Sequence, residues 1–234
     1  MKTTYVWGVR ALRRALAATG LLGLLDRWAR RSRTGLWLRS LLSIYDLEDL
    51  LRYDVPWWTF KAADRVADFL ATRPDARVFE WGSGASTVWL SRRSGSVTSI
   101  EHDARWAEIV EPVLPGNAVV RVVGPTPATG GPEQQLSAKP GFEELDFAGY
   151  VDAMEGIEGD FDLVVVDGRA RNACFHRAIT RLAPGGVLVF DNVDRQRYRD
   201  AIASSPIGVD VAWTRGLTPA LPYPTRTALV TLRD

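Results

Sequence analysis

The sequence contains a single cysteine, Cys174, among 234 residues. One cysteine cannot form an internal disulfide, so a small secreted scaffold held together by disulfides is excluded, and so is a cysteine zinc cluster. The longest apolar stretch near the N-terminus is interrupted by Gly20, Gly23 and Asp26, and it is too short to span a bilayer. These absences favour a cytoplasmic protein whose basic N-terminus is retained rather than removed as a signal peptide.

The chain has almost no net charge, because its 29 basic side chains are balanced by 28 acidic ones. The distribution is uneven, however. Residues 1–45 contain nine basic residues and one acidic residue, a net charge of +8, and the remainder of the chain carries −7. A basic helical segment of this kind could dock on the acidic remainder as a lid, pack on an acidic partner, lie on an anionic membrane surface, or contact nucleic acid or a second copy in a homodimer. The sequence leaves these alternatives open.

The residue pattern changes near Pro56. Before it the chain reads as helices, and after it short β-branched runs alternate with amphipathic stretches of helical length. We therefore predict a helical extension over residues 1–56 and one α/β domain over 57–234. Strands are predicted at 77–81, 97–101, 118–123, 161–167, 186–191, 209–213 and 227–232. The last two strands are joined only by a proline-rich loop, so the final strand should run antiparallel. The prediction is a Rossmann-like, mostly parallel seven-stranded sheet with a reversed last strand and helices on both faces.

A glycine-rich turn follows the first predicted strand, in the sequence Glu-Trp-Gly-Ser-Gly-Ala-Ser-Thr over residues 80–87. Gly82 and Gly84 allow the backbone to approach a ligand, and the helix that follows offers free N–H groups. Glu101 ends the next strand, where a carboxylate can accept both ribose hydroxyls of an adenosine group. The pair predicts a nucleotide-type site.

The residues around the glycines distinguish two cofactors. A dinucleotide pyrophosphate requires a third glycine and no nearby anion, whereas position 87 is threonine and Glu80 lies at the turn itself. A carboxylate at this place suits a cationic ligand instead. A nicotinamide-dependent oxidoreductase is therefore retained only as the alternative.

Two segments resemble motifs of the class I S-adenosylmethionine-dependent methyltransferases. They are Phe-Glu-Trp-Gly-Ser-Gly over 79–84 and Ser-Ile-Glu-His-Asp over 99–103, with Ser86 in place of the family's usual third glycine. The family's seven-stranded sheet also matches the predicted one. The resemblance implies that Glu80 positions the methionine end of the cofactor and that Glu101 holds its ribose. The cofactor-binding residues that we predict are Glu80, Gly82, Ser83, Gly84, Ser86, Glu101, His102 and Asp167.

Three oxygen-bearing side chains lie at the ends of the fourth and fifth predicted strands. Asp167 comes after one strand, and Asp191 and Asn192 come after the other. Ligands of open α/β sheets bind beyond these strand ends, and such oxygens suit Mg²⁺. The segments at 167–169 and 190–192 resemble the metal-dependent catechol and caffeoyl-coenzyme A O-methyltransferases, which implies that Asp167, Asp191 and Asn192 are metal ligands. Contact with cofactor or substrate without metal, or helix capping alone, remains an alternative.

The catalytic base is less clear from the sequence. The lysine that acts as base in the metal-dependent group is Ala170 here, and guanidinium groups at Arg169 and Arg171 are too basic to accept a proton. They could bind an acidic substrate group instead. His176 and His102 are the candidate histidines, although a helix-surface or pocket-wall role would also explain them. The predicted catalytic set is Asp167, Arg169 and His176.

We expect methyl transfer from S-adenosylmethionine to the hydroxyl of a small molecule, with Mg²⁺ assistance. Residues 166–169 read Val-Asp-Gly-Arg. They do not resemble the Asn-Pro-Pro-Tyr run of methyltransferases that act on nucleic-acid amino groups, so no nucleic-acid partner is expected. A non-catalytic binding protein that keeps the fold, held at a membrane by residues 1–45, is the remaining alternative.

Overall fold

The computed structural model describes residues 2–43 and 47–233, and predicted elements that include residues 1 or 44–46 lie partly outside this description. The helices are α1 (Lys2–Ala18), α2 (Leu21–Ala29), α3 (Arg33–Ser40), α4 (Leu47–Tyr53), α5 (Phe60–Ala71), α6 (Ala85–Ser91), α7 (Ala104–Val110), α8 (Ala148–Asp152), α9 (Arg171–Ile179) and α10 (Gln196–Ala203). The strands are β1 (Arg77–Trp81), β2 (Ser96–Glu101), β3 (Ala118–Val122), β4 (Thr126–Pro127), β5 (Leu145–Asp146), β6 (Phe161–Val166), β7 (Leu182–Asp191), β8 (Val209–Gly216) and β9 (Thr225–Leu232).

Seven of these strands form one sheet in the order β3-β2-β1-β6-β7-β9-β8. The pairs among β3, β2, β1, β6 and β7 are all parallel, and β9 runs antiparallel to both β7 and β8. The predicted seven-stranded sheet with a reversed last strand is therefore confirmed. The short link from β8 to β9 has no helix to cross over the sheet, which is why β9 must reverse.

The amphipathic pattern of residues 145–155 predicts a helix, and this prediction is wrong in its first turn. Leu145–Asp146 instead pairs with Thr126–Pro127 in a two-stranded ribbon, β4–β5, and α8 begins only at Ala148. Asp146 accepts hydrogen bonds from the backbone N–H groups of Gln135 and Ala148, at 2.8 and 2.9 Å. Because this side chain bonds to the preceding loop, the chain is extended at a point where its apolar pattern alone predicts a helix.

The sheet carries an apolar layer on each face. Alternation along β1 places Val78 against α5 and α6 on one side, and Phe79 and Trp81 against α8 and α9 on the other. The same alternation turns Glu80 towards α6. Helices on both faces are thus confirmed, and the strand ends between the two layers are where the site lies.

The N-terminal helices pack against the α/β domain. Leu36 and Leu50 share an apolar cluster with Ala85 of α6 and Val110 of α7. The indole N–H of Trp37 donates a 2.8 Å hydrogen bond to the backbone oxygen of Leu221. These contacts cover the side of the domain on which the glycine-rich turn lies.

A buried arginine joins the N-terminal helices to one another. Arg39 is 1% exposed, and its guanidinium donates to Asp26 at 2.7 Å, to Asp49 at 3.1 Å and to Ser43 at 2.9 Å. Tyr53 donates to the same Asp26 carboxylate at 2.6 Å. Burial acts to raise the pKa of Asp26, but the hydrogen bonds from Tyr53 and Arg39 outweigh it and lower the pKa below its ordinary value. Part of the basic charge of this segment is therefore neutralised within the segment.

Apolar side chains on α1 and α2 remain on the surface, among them Trp7, Leu24 and Trp28, which are 71%, 52% and 44% exposed. In the part of the chain that the structure describes, no helix combines the length and apolarity needed to cross a membrane. The exposed apolar groups are compatible with each predicted partner of this segment. Membrane contact and homodimerisation through residues 1–45 therefore stay predictions.

Replacement of Arg39 by methionine should destabilise the protein by about 3 kcal/mol, because it removes the buried cation that Asp26 and Asp49 share and leaves these carboxylates only the more exposed Arg52 and Arg13. Arg33→Met is the matched control, since Arg33 pairs with Asp64 on the surface, and it should cost less than about 1 kcal/mol. Urea denaturation measures both free energies of unfolding. Equal effects of the two substitutions would contradict the role given to Arg39.

Candidate cofactor and acceptor site

The glycine-rich turn lies against the loop that follows β6. Gly82 has a φ of +101°, and a Cβ atom there would lie 2.9 Å from the Cα of Gly168 and 3.1 Å from the carbonyl carbon of Asp167. No side chain fits between the two backbones. The ends of β1 and β6 therefore pack backbone against backbone at Gly82, whereas a Cβ atom at Gly84 would meet only Trp106, at 3.8 Å, so the turn is open to a ligand at Gly84.

Glu101 is fixed at the edge of this turn. Its carboxylate accepts hydrogen bonds from the backbone N–H and hydroxyl of Ser83, both at 3.0 Å, and from the backbone N–H groups of His102 and Asp103, at 2.7 and 2.9 Å. Burial acts to raise its pKa, but hydrogen bonds from His102 and Asp103 outweigh burial and lower the pKa. The side chain is an ionised, oriented acceptor at the position predicted to hold ribose hydroxyls, and with the open backbone at Gly84 it fits S-adenosylmethionine.

Aromatic side chains complete the cofactor side of the site. The indole N–H of Trp106 donates a 2.8 Å hydrogen bond to the backbone oxygen of Ser83 and so braces the turn from α7. His102 lies with its ring centre 5.7 to 6.2 Å from the rings of Phe142, Phe147 and Tyr150. Trp106 and Phe142 are not among the site residues predicted from the sequence. The Asp103 cap that starts α7 was a local signal for Trp106, whereas Phe142 reaches the site only through the tertiary fold.

Glu80 has a different environment from the one that its motif implies. It is fully buried, and its two carboxylate oxygens accept hydrogen bonds from the hydroxyls of Ser86 at 2.5 Å and Thr87 at 2.6 Å. Burial raises its pKa to about 7, although those hydrogen bonds act in the opposite direction. Glu80 therefore secures the first turn of α6. Its predicted contact with the methionine end of the cofactor stays a prediction.

Arg171 connects the ends of β6 and β7. Its guanidinium donates to the Asp167 carboxylate at 2.6 Å, to the backbone oxygen of Asp167 at 2.7 Å and to the backbone oxygen of Asp191 at 2.8 Å. The Asp191 carboxylate in turn accepts the Thr227 hydroxyl at 2.6 Å and the Asn192 amide at 2.5 Å. Burial and the neighbouring Asp167 raise the pKa of Asp191 to about 7.

This arrangement does not fit the predicted Mg²⁺ site. A guanidinium already bonds to Asp167, both oxygens of Asp191 accept hydrogen bonds, and the Asn192 side chain presents its N–H to Asp191. A divalent cation at this place would have to displace these donors and lie beside the positive charge of Arg171. Among the described residues there is also no group of three His, Cys, Asp or Glu side chains that could hold a metal ion.

A cavity of about 240 Å³ opens beyond these strand ends. It lies between the first turns of α9 and α10, and the segment 135–139 forms another wall. Arg169 lines it, and Asp167 directly precedes its Gly168 wall. His176 is not a lining residue. It lies half-buried on α9 beside Phe175, and burial lowers its pKa. The structure thus brings two of the three predicted catalytic residues together, but not His176.

The pH dependence of stability should report the buried state of Glu80. Because its folded pKa of about 7 lies above the ordinary value of 4.5, the folded protein holds the proton more tightly than the unfolded chain does. Its contribution to stability is therefore present at low pH and is lost as the pH rises from 4.5 through 7, by about 3 kcal/mol in total.

Glu80→Gln cannot ionise and should flatten the decline in the free energy of unfolding between pH 5 and pH 8 by that amount. Glu108→Gln, on the exposed face of α7, is the control and should leave the slope unchanged. Urea denaturation at several pH values measures both. An unaltered slope in Glu80→Gln would show that the pKa of Glu80 is the same in the folded and unfolded states.

Comparisons with known proteins agree with this geometry. Residues 79–193 match a family whose description is a methyltransferase domain. The matched range runs from β1 to the loop after β7 and includes the glycine-rich turn, Glu101 and Asp167. A comparison with curated proteins finds no match.

Solved structures share the fold. A methyltransferase-like protein from Silicibacter pomeroyi is 22% identical, with a TM-score of 0.50 over 77% of this chain and 91% of that one. Precorrin-6y C5,15-methyltransferase from Geobacter metallireducens is 13% identical, with a TM-score of 0.51 over 74% of this chain and 88% of that one. The family match, the sheet order and the glycine-rich turn show that this chain belongs to the class I S-adenosylmethionine-dependent methyltransferases.

Proposed function

We propose that the protein transfers the methyl group of S-adenosylmethionine to a hydroxyl of a small molecule bound in the 240 Å³ cavity. The observation that carries this proposal is the shared backbone at Gly168, which lies against the Gly82 turn and also lines the cavity. Methyl transfer is an in-line displacement, so the acceptor must be held directly beside the cofactor. The cofactor side at Gly82 and the cavity side at Gly168 meet with no side chain between their backbones.

The size of the cavity supports a small acceptor. About 240 Å³ is close to the lower end of the ~300–1,000 Å³ range of small-molecule pockets. Segment 135–139 narrows access from outside. The family match favours methyl transfer over the alternative of a nicotinamide-dependent oxidoreductase.

Asp167 is the residue that we assign to proton removal. It follows β6, its carbonyl carbon lies beside the Gly82 turn, and its side chain keeps 19% exposure at the edge of the site. Burial raises its pKa, although Arg171 acts in the opposite direction, and a more basic carboxylate is a better proton acceptor. A hydroxyl must lose its proton on methyl transfer, and a carboxylate at this place can accept that proton.

Arg171 orients this base. Its bond to the Asp167 carboxylate and its bonds to the backbone at Asp167 and Asp191 hold the carboxylate in one position. The bound cofactor supplies the electrophilic methyl group. The proposal therefore contains no metal: Arg171 provides the positive charge that a divalent cation would otherwise bring to this carboxylate.

Cofactor binding should depend on Glu101. Glu101→Gln replaces a charged acceptor of two ribose hydroxyls by a neutral amide, and it should weaken S-adenosylhomocysteine binding by about 2 kcal/mol. Calorimetric titration measures this affinity, with Glu108→Gln as the control that should bind like the wild type. Unchanged affinity in Glu101→Gln would remove the side chain from the ribose site.

Catalysis should depend on Asp167 and should not depend on a divalent cation. Asp167→Asn should reduce transfer of labelled methyl groups to hydroxylated acceptors by at least about a hundredfold, the lower end of the usual gain from general-base catalysis. Its affinity for S-adenosylhomocysteine should stay within about twofold of wild type. EDTA should leave wild-type turnover unchanged. Abolished turnover in EDTA would restore the metal-assisted reaction, and full activity of Asp167→Asn would assign the base elsewhere.

A further inference from the structure

The cavity wall carries charge of one sign. Of its 15 lining residues, five are basic and none is acidic. The basic residues are Lys139, Arg169, Arg171, Arg195 and Arg197. The domain around this cavity carries a net negative charge, since residues 46–234 sum to −7. The concentration of positive charge is therefore local to the acceptor side of the site.

Three of these arginines have no carboxylate as an ion-pair partner in the described part of the chain. Arg171 is paired with Asp167, but within residues 2–43 and 47–233 no ion pair involves Arg169, Arg195 or Arg197. The Nε of Arg169 is buried and has no hydrogen-bond partner among the described residues. Burial and the neighbouring Arg171 lower the pKa of Arg169. A buried N–H group without an acceptor is costly unless a ligand supplies one.

Tyr198 holds two of the arginines in place. The guanidinium carbons of Arg195 and Arg197 lie 5.7 and 4.9 Å from the centre of its ring. Both side chains also donate to its hydroxyl, at 3.1 and 3.3 Å. Tyr198 is itself buried and packs on Phe190 of β7, with the ring centres 5.3 Å apart. The two guanidinium groups are therefore prearranged on a rigid support.

Two helices begin at the same cavity. The lining includes Arg171, Asn172 and Ala173 from the first turn of the nine-residue α9, and Arg197 and Tyr198 from the first turn of the eight-residue α10. First-turn N–H groups have no partner within their helix, and helix N-termini favour negative charge. They add to the unpaired guanidinium groups, and both effects favour an anion.

We infer that the methyl acceptor carries an oxyanion, a carboxylate or a phosphate, which Arg169, Arg195 and Arg197 bind in the cavity. This inference rests on the proposed function, because it takes the cavity to be the acceptor site. Guanidinium groups bind both kinds of oxyanion through paired N–H bonds. The oxyanion anchors the acceptor beyond β7, and the hydroxyl to be methylated points back towards Asp167.

The methionine carboxylate of the cofactor is the competing anion. Arg169 lies near enough to Glu101 and Asp167 for their charges to act on its pKa, so it borders the cofactor side. Arg195 and Arg197 lie at the start of α10, beyond β7, and they distinguish the two ligands. If they serve the acceptor, their removal should leave cofactor affinity intact.

The test measures binding of inorganic phosphate and, separately, of benzoate to the full-length protein saturated with S-adenosylhomocysteine, by calorimetry at low ionic strength. The variant is Arg195→Gln/Arg197→Gln. The matched control is Arg215→Gln, which removes an exposed guanidinium on β8. Saturable binding of either anion should weaken at least tenfold in the double variant and stay within twofold in the control. Preference for phosphate or benzoate then identifies the kind of oxyanion.

Each other outcome counts against the inference in a distinguishable way. Absence of saturable binding of both anions to a protein that binds S-adenosylhomocysteine would overturn the anionic acceptor and leave the proposed function intact. A tenfold loss of S-adenosylhomocysteine affinity in the double variant would move the arginines to the cofactor site. No binding of S-adenosylhomocysteine by the wild type would remove the proposed function itself. Circular dichroism of the variants confirms that they are folded.

Discussion

The bonds of Arg171 to the ends of β6 and β7 are the constraint on which the acceptor side of the structure depends. Its guanidinium reaches the backbone oxygens of Asp167, Gly168 and Asp191 as well as the Asp167 carboxylate. Without this cation the ends of β6 and β7 would separate more easily, because the dipoles of their backbone carbonyls repel one another. A buried cation held by four acceptors fixes both the distance between the strands and the direction of the carboxylate.

The same residue explains how two carboxylates can lie at adjacent strand ends without a metal ion between them. Asp167 and Asp191 would repel each other in a buried place without a cation, and the raised pKa of Asp191 reflects that proximity together with burial. Arg171 supplies a permanent positive charge from the chain itself. The Asp167 carboxylate is thus oriented by the chain itself and needs no bound ion. Its contacts with Arg171 are fixed, however, and cannot rearrange as the ligands of a metal ion can.

The cofactor half of the site was readable from the sequence because its parts are local. Gly82 and Gly84 lie in one turn, and Glu101 is found by counting to the end of the next strand, so backbone geometry alone connects them. The acceptor half was not readable in the same way. The spacing of Asp167 and Arg171 is compatible with an ion pair or with separate roles, and the resemblance to metal-dependent enzymes favoured metal ligation for Asp167 and gave no sign of its pairing with Arg171. Arg195, Arg197 and Tyr198 come together with Arg169 only when β6 and β7 are adjacent, which no local pattern encodes.

Gly168 also limits how this site can diverge. A Cβ atom there would lie 1.9 Å from the Tyr150 hydroxyl and 3.1 Å from the Trp81 carbonyl, so the wall shared with the cofactor turn cannot be rebuilt by substitution. The opposite wall consists of segment 135–139 and the start of α10, where Leu136, Ala138 and Arg195 are exposed. A change in acceptor preference is therefore expected to arise from substitutions in these outer segments, while Gly168 stays unchanged.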